Sequence, residues 1–267
     1  MEWTTNLKLY EPYLHRALKK GRGVGSFDRY RPWVQKSDFG SKGSATTVQG
    51  IVVPRLHHVL SDLEHIYLML LERQPTVVDI REQWPILHIN QTLALCEELG
   101  VSHRYENEAP VPFTIDFLVT TEVDGKRTYS AKSIKTPMDA EKPVIRRRLA
   151  VEHKWCESKG VSWALVKTEG FHGRSKKVIF ENLSFMRDWY LNRYKPDEKE
   201  LTAFVKCFRK IYDPDLRLDE ILDRTSKVLR VSEALCDNIF RFALWRNLIS
   251  ASLREKIALT RPLILNS

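Results

Sequence analysis

Four polar residues in the central part of the chain have the types needed for metal-assisted phosphodiester hydrolysis. Glu64 opens an amphipathic pattern, Asp116 interrupts the apolar run FTIDFLV, and Ser133 and Lys135 stand two apart in SIKTP. Carboxylate oxygens suit Mg²⁺ or Mn²⁺, and such an ion can acidify a water and stabilise a leaving oxygen. A lysine beside them can orient that water or offset charge on the phosphate. These four residues are the candidate catalytic set, with Glu64 and Asp116 as candidate metal ligands.

The range 113–137 predicts how part of this set is brought together. It alternates like a strand, breaks at the dipeptide DG and alternates again, which is typical of a β-hairpin whose turn favours positive φ. Residues two apart in a strand share a face, so Ser133 and Lys135 point the same way. Lys135 could therefore meet Asp116 across the hairpin.

Each of these residues also has a purely structural explanation. Ser61-x-x-Glu64 is a capping box, in which the glutamate would bond back to the Ser61 backbone. Asp116 could bond a turn amide, and Lys135 could be a solvated residue ahead of Pro137. The spacing alone leaves both interpretations open.

The elements around the hairpin predict a mixed α/β sheet flanked by helices. A first helix is predicted from Leu7, Tyr10, Leu14 and Ala17, followed by a loop or extended arm over 26–54. LSDLEHIYLMLLERQP is an amphipathic helix with Ser61 as N-cap, TVVDIREQWPIL is a strand and NQTLALCEELG a short helix. After the hairpin, a helix and the buried strand VSWALVKT are expected.

Beyond about residue 170, helical patterns dominate. Two helices separated by RVS, followed by a candidate strand pair in KIALTRPLIL, predict a winged helix-turn-helix module. Arg241 and Arg246 on the second helix could read a DNA groove. Phe240 and Trp245 crowd the same helix, however, which favours burial in a core or against a protein partner. We therefore expect a catalytic domain over 1–170 and a mainly helical domain over 171–267.

Composition bounds the environment of the protein. The net charge is +9, and the excess is in the flanks: residues 1–60 hold 10 Lys and Arg against 4 Asp and Glu, and residues 171–267 hold 19 against 13. This layout fits a polyanionic partner, or simply a solvated basic surface. The four cysteines form no C-x-x-C pair and are expected to be reduced and buried. With no membrane-spanning run and no secretory signal, we expect a cytoplasmic protein.

Five further residues are candidate DNA contacts. Arg55, His57 and His58 precede the helix that bears Glu64, and Arg81 and Gln83 alternate along the DIREQ strand. The first three could instead pack a loop. An inter-strand salt bridge is the commoner fate of an arginine such as Arg81.

Four segments together resemble the TnsA family, the endonuclease subunit of heteromeric TnsA/TnsB/TnsC transposons. They are RLHHVLSDLE, VVDIREQWPIL, TIDFLV and SIKTP, in that order and at similar spacing. The resemblance implies a restriction-endonuclease-like PD-(D/E)xK catalytic domain and a winged-helix-like C-terminal domain. It implies that Glu64 and Asp116 bind metal, that Lys135 is the active-site lysine, and that Ser133 replaces a third carboxylate.

The same resemblance implies a biological role. The enzyme would use Mg²⁺, or Mn²⁺, to cut the 5′-end strands of double-stranded transposon ends, while a TnsB-like DDE transposase cuts the 3′ ends. A TnsC-like ATPase would engage the C-terminal domain, and the protein would be nucleoid-associated in a bacterial cytoplasm. The alternatives are a non-catalytic assembly subunit and a stand-alone restriction-like nuclease.

Overall fold

The computed structural model describes residues 1–39, 44–166, 168–171 and 173–266, and the chain divides into two units, Met1–Glu169 and Gly170–Ser267. The strands are β1 (Thr46–Gln49), β2 (Leu56–Val59), β3 (Val77–Ile86), β4 (Tyr105–Glu106), β5 (Ala109–Pro110), β6 (Phe113–Val123), β7 (Lys126–Ile134) and β8 (Ser162–Val166). The α-helices are α1 (His15–Lys19), α2 (Asp62–Glu72), α3 (Ile89–Glu98), α4 (Pro137–Glu141), α5 (Pro143–Ser158), α6 (Gly173–Arg187), α7 (Glu198–Ile211), α8 (Leu218–Leu229) and α9 (Glu233–Trp245).

The first unit is organised around a mixed sheet with the strand order β3-β6-β7-β8. The strands β3, β6 and β7 pair antiparallel, and β8 pairs parallel to β7 after the connection through α4 and α5. One core cluster packs Leu68 of α2 against the sheet, and another packs Trp155 of α5 against it. The prediction of a mixed α/β sheet flanked by helices is confirmed.

The β6–β7 hairpin forms as predicted. Val123 pairs with Lys126, and the intervening Asp124 and Gly125 have φ of 50° and 74°. Both values lie in the left-handed region, as the two-residue turn requires. The register pairs Phe117 with Lys132 and thereby brings the catalytic candidates at the far ends of β6 and β7 to the same edge of the hairpin.

The N-terminal segment differs from its prediction. The expected first helix is reduced to α1, preceded by 3₁₀ turns at Leu7–Leu9 and Pro12–Leu14. Pro12 explains the break, since a proline lacks an amide hydrogen and holds the preceding residue extended. The expected arm over 26–54 contains further 3₁₀ turns at Phe27–Arg29 and Lys36–Asp38, and it also contributes β1, which pairs with β2.

Two later elements also differ in detail. The helix predicted after the hairpin divides into α4 and α5 at Lys142, whose ψ of 125° is extended because Pro143 follows it. The strand predicted in VSWALVKT is present over Ser162–Val166 as β8, but it is half-exposed rather than buried, and Lys167 lies outside the described residues. The reason is its place at the edge of the four-stranded sheet.

The second unit is mainly helical, as predicted. The helices α8 and α9 are joined by residues 230–232, the predicted RVS turn, and the aromatic side chains of Phe240 and Trp245 are buried within the unit. The predicted strand pair is not formed, since the described residues show there an isolated bridge between Ala251 and Leu265. A 3₁₀ turn at Asp188–Tyr190 follows α6.

Arg241 on α9 is held inside the second unit rather than displayed. Its guanidinium lies 3.8 Å from the ring centroid of Phe185, donates to the Phe185 carbonyl at 2.8 Å and pairs with Asp237 at 2.7 Å. The side chain is only 13% exposed. This arrangement disfavours groove reading by Arg241, whereas Arg246 is exposed.

Two composition-based expectations can be compared with the structure. Cys96, Cys156 and Cys236 are buried free thiols, and Cys207 is partly exposed. Among the helices of the described residues, none combines the length and the apolar character needed to cross a bilayer.

Candidate active site

Lys135 and Asp116 meet at the end of the hairpin, which confirms the predicted contact. The Lys135 Nζ donates to Asp116 Oδ2 at 2.9 Å and to the Ile134 carbonyl at 2.9 Å. The Ile134 amide donates to the same carboxylate oxygen at 2.6 Å. The lysine side chain is 30% exposed and the aspartate 13%, so the pair is held firmly and remains open to solvent on one side.

The charge of Lys135 is stabilised by its surroundings. Burial lowers the pKa of Lys135. The negative charges of Asp116, Glu152 and Glu64 raise it by more, so the pKa of Lys135 lies above its ordinary value. The lysine backbone is fixed by Thr168, whose Oγ1 donates to the Lys135 carbonyl at 2.8 Å. Lys135 is therefore a permanent ammonium group among acids.

Glu64 sits in the first turn of α2, where Ser61 caps its amide as predicted, but its carboxylate bonds the Leu60 amide rather than the Ser61 amide of a capping box. Its Oε1 accepts from Ser61 Oγ at 3.1 Å, its Oε2 accepts from the Leu60 amide at 2.9 Å, and its own amide donates to Ser61 Oγ at 3.2 Å. Burial, and then the negative charge of Asp116, raise the pKa of Glu64 to about 7. Capping and proximity to Asp116 thus occur together.

Ser133 is bonded to a carboxylate that the sequence analysis did not identify. Its hydroxyl donates to Glu152 Oε2 at 2.5 Å and accepts from Trp163 Nε1 at 3.2 Å, and the residue is buried. Burial, and then the charge of Asp116, raise the pKa of Glu152 to about 7. The site therefore contains three interacting acids rather than two.

The pattern of α5 contains the signal that would have found Glu152. Leu149, Val151, Trp155 and Cys156 form the buried face of this helix, and Glu152 lies among them. A glutamate on the apolar face of an amphipathic helix needs a partner, because an unpaired buried charge is costly. That partner, Ser133, is supplied by the neighbouring strand.

Two of the predicted DNA contacts are buried in an ion-pair network. Arg55 donates to both oxygens of Glu82 at 2.8 and 2.6 Å, and His57 Nδ1 lies 2.9 Å from Glu82 Oε2. Arg55 and His57 are 9% and 0% exposed. Their polar groups are directed into the protein, so the loop-packing alternative describes them better than phosphate contact.

The other three candidates are also placed by internal contacts. Arg81 is 1% exposed and pairs at 3.2 Å with Asp79 of its own strand, β3, rather than across strands as the salt-bridge alternative expected. The buried Gln83 donates to Glu64 Oε2 at 3.3 Å. His58 is half-buried, and its Nδ1 accepts from the Lys36 amide at 3.0 Å. Of the five predicted DNA contacts, only His58 keeps an exposed part that could meet DNA.

The donor set fits a hard divalent cation whose coordination is completed by substrate oxygens. Within the described ranges, no three His, Cys, Asp or Glu side chains are arranged as a metal-holding group. Glu64 and Asp116 offer carboxylate oxygens, and Asp116 raises the pKa of Glu64, a like-charge effect that a cation would relieve. Mg²⁺ commonly uses one or two carboxylates together with substrate phosphates, which matches this pair.

Glu152→Gln is expected to stabilise the protein in alkaline solution. The folded-state pKa of about 7 exceeds the ordinary value of 4.5, so wild-type stability declines as pH rises from 4.5 to 7. The variant avoids that loss, which amounts to at most about 3 kcal/mol. We expect its melting temperature to exceed that of the wild type at pH 8.5 and to match it at pH 4. Glu157→Gln, on the exposed face of the same helix, is the control, and equal melting curves for Glu152→Gln and wild type at pH 8.5 would contradict the burial of this charge.

Comparison with known proteins gives two findings. Residues 74–168 match the family model described as TnsA-like endonuclease N terminal, a range that contains Asp116, Ser133, Lys135 and Glu152. Over 181 residues the chain is 27% identical to the Transposon Tn7 transposition protein TnsA of Escherichia coli, and the match covers 68% of this chain and 64% of that protein. The match thus spans less than two thirds of the relative's length.

Proposed function

Both comparisons support assignment of this chain to the TnsA family, and on that basis we propose that it is the metal-dependent DNA endonuclease subunit of a transposase. In this role it cuts the 5′-end strands at transposon ends, together with a TnsB-like transposase. One observation supports the proposal most directly: the Lys135–Asp116 pair, 2.9 Å apart and open to solvent, lies within electrostatic reach of Glu64.

Each residue has a defined task in the proposed reaction. Glu64 and Asp116 hold the cation through carboxylate oxygens, and Lys135 offsets negative charge that develops on the scissile phosphate. Bound Mg²⁺ would supply an acidified water and stabilise the leaving oxygen. Asp116 also accepts the Ile134 amide and the Lys135 ammonium, so one carboxylate fixes the lysine and the metal site relative to each other.

Ser133 and Glu152 form a second interacting pair in the proposed site. The serine hydroxyl donates to Glu152, and this carboxylate interacts electrostatically with both Asp116 and Lys135. We infer that Glu152 supplies the negative charge that Ser133 lacks at the position of a third carboxylate. The two residues act together, since the hydroxyl holds the carboxylate in place.

The partners follow from the same assignment. The net charge of +9 fits double-stranded DNA at the transposon ends, and the second unit, Gly170–Ser267, is the proposed docking site for a TnsC-like ATPase. A TnsB-like transposase would cut the other strand. The proposed location is the bacterial cytoplasm, in association with the nucleoid.

A reconstituted cleavage reaction tests the proposal. The protein is mixed with matching TnsB-like and TnsC-like proteins, Mg²⁺ and a plasmid bearing transposon ends, and the cut strands are mapped. We expect 5′-strand cuts with wild type, their loss with Glu64→Gln, and unchanged 3′-strand cuts in both reactions.

Glu98→Gln is the matched control, because Glu98 is 54% exposed and pairs with Lys154 on the surface. Equal 5′ cutting by Glu64→Gln and wild type would favour a non-catalytic assembly subunit. Cutting of naked plasmid without partners would favour a stand-alone nuclease.

The rate of 5′-strand cutting is expected to rise with pH through about 7. Glu64 and Glu152 both have pKa values of about 7, so they lose their protons, and gain affinity for a cation, over this range. If one ionisation is required, the single-turnover rate should fall about tenfold for each pH unit below 7. A rate that is constant between pH 5.5 and 8 would contradict an ionising carboxylate in the reaction.

A further inference from the structure

Gln83 has an unusual backbone for its place in the fold. Its φ is 47°, in the left-handed region, although it lies in the middle of β3. The other non-glycine residues with positive φ among those described lie outside the named strands, as at Asn107, Asp124 and Arg230. Such a conformation costs about 1–3 kcal/mol for a residue with a side chain, and it is typical of functional sites.

The strand ladder is interrupted at this residue. Glu82 pairs with Phe117 and Trp84 pairs with Ile115, so Gln83 stands opposite Asp116. These two residues are the one position between Asp79 and Ile86 of the described ladder where no pair forms. A break of this kind gives local freedom to redirect side chains.

At the break, both strands reverse the side of the sheet to which alternate side chains point. On β3, Ile80 packs in the cluster that contains Leu68 of α2, whereas Trp84 packs in the cluster that contains Trp155 of α5. In a regular strand, residues 80 and 84 would share a face. On β6 the same change occurs, since Phe117 belongs to the α2 cluster and Ile115 to the α5 cluster.

This change of face explains how acids from opposite sides of the sheet reach one site. Glu64 comes from α2 and Glu152 from α5, yet the charge of Asp116 raises the pKa of both. Asp116 lies at the point where β6 turns from one face to the other, so it is accessible from both. The partner residue at that point on β3 is Gln83.

The side chain of Gln83 is directed at a candidate metal ligand. It is 4% exposed, and its Nε2 donates to Glu64 Oε2 at 3.3 Å. The main-chain carbonyl of Gln83 accepts from the Trp33 amide at 3.2 Å, which holds the backbone at this position. A neutral amide suits this place, because it contributes a donor without adding another charge among three acids.

We propose that Gln83 is a positioning residue of this site: its left-handed backbone, opposite Asp116, places the side-chain amide against Glu64 and fixes the orientation in which that carboxylate meets a divalent cation. This inference rests on the proposed function and goes beyond it by assigning Gln83 to the catalytic machinery. Neighbouring groups that position a metal ligand typically contribute 10–100-fold in metal affinity or activity.

Gln83→Gly separates positioning from a merely structural role. Glycine adopts positive φ without strain, so the variant keeps the backbone conformation and loses the side chain that carries the amide. We expect an unchanged or higher melting temperature, about tenfold weaker Mn²⁺ binding by the full-length protein, and a raised Mg²⁺ requirement for 5′-strand cutting. Excess Mg²⁺ should restore most of the maximal rate.

Two further variants complete the experiment. Gln83→Asn tolerates the same φ but is one methylene shorter, so we expect it to behave like the glycine variant. Asn107→Gly relieves a positive φ of 48° in the exposed β4–β5 turn and should leave Mn²⁺ binding unchanged.

The outcomes distinguish the inference from the proposed function. Wild-type Mn²⁺ affinity and Mg²⁺ requirement in Gln83→Gly would overturn the role of Gln83 while leaving the nuclease intact. A lower melting temperature with unchanged Mn²⁺ affinity would also overturn it and assign a structural role. Failure of the wild-type protein to bind Mn²⁺ in the presence of DNA and to cut would overturn the proposed function itself.

Discussion

Asp116→Asn is expected to reduce 5′-strand cutting by at least about 1,000-fold while leaving the protein folded. The substitution removes one of the two proposed anionic ligands and the counter-charge of Lys135, whose Nζ lies 2.9 Å from Asp116 Oδ2. The amide oxygen of asparagine can still accept from the Ile134 amide, so the end of the hairpin should keep its geometry. The measurement is the single-turnover rate of strand cutting in the reconstituted reaction, with the melting temperature recorded in parallel.

Asp124→Asn provides the matched control in the same hairpin. Asp124 is exposed in the two-residue turn at a φ of 50°, a conformation that asparagine accepts readily. We expect its cutting rate and melting temperature to equal those of the wild type. Cutting by a folded Asp116→Asn protein within about tenfold of the wild-type rate would exclude Asp116 as a required metal ligand.

Glu82→Ala is expected to have the largest effect on stability. Glu82 is fully buried and accepts from both terminal nitrogens of Arg55, from the ring of His57 and from the His58 amide. Removing this carboxylate leaves the Arg55 charge buried without its partner, which typically costs about 3–5 kcal/mol. We expect a fall of about 10 °C in the melting temperature.

The sign of the pH dependence gives a second test of this network. Burial raises the pKa of Glu82, but His57 and Arg55 outweigh it and lower the pKa well below the ordinary value of 4.5. The contribution of Glu82 to stability is therefore present above pH 4.5 and lost as the pH falls through the folded-state pKa. The difference between the wild type and Glu82→Ala should accordingly shrink in acid.

An exposed ion pair serves as the comparison. Glu122 and Arg127 pair at 2.6 Å on the hairpin surface, with side chains 35% and 52% exposed. Glu122→Ala should change the free energy of unfolding by less than about 1 kcal/mol, because solvent screens such a pair. Equal effects of Glu82→Ala and Glu122→Ala would contradict the buried network.

The ion-pair network of Glu82 is connected to the candidate active site through the neighbouring residue in the chain. Glu82 immediately precedes Gln83, and the contacts of Glu82 tie β3 to Arg55, His57 and His58 at β2. The strained backbone of Gln83 is thus preceded by a residue whose carboxylate is held by these three residues. We expect destabilisation of the network to loosen the position of Gln83 as well.

Local chemistry in the sequence determined the hairpin, its turn and the contact of Asp116 with Lys135. Alternation fixes which side chains share a face, and the Asp124-Gly125 dipeptide fixes where the chain reverses. Once these are set, the register follows from the turn. The Ser61 cap on the Glu64 amide was equally predictable, because it joins residues within one helical turn.

Only the tertiary structure decided which polar residues turn inward. Arg55 pairs with Glu82, which lies 27 positions later in the chain, and Ser133 bonds to Glu152, which lies 19 positions later. The relative placement of these elements depends on the packing of the whole sheet. The exchange of faces at Gln83 and Asp116 reverses the alternation on which a sequence pattern relies. Burial costs and long-range partners are properties of the packed unit, so a basic residue destined for an internal ion pair and one destined for DNA look the same in the sequence.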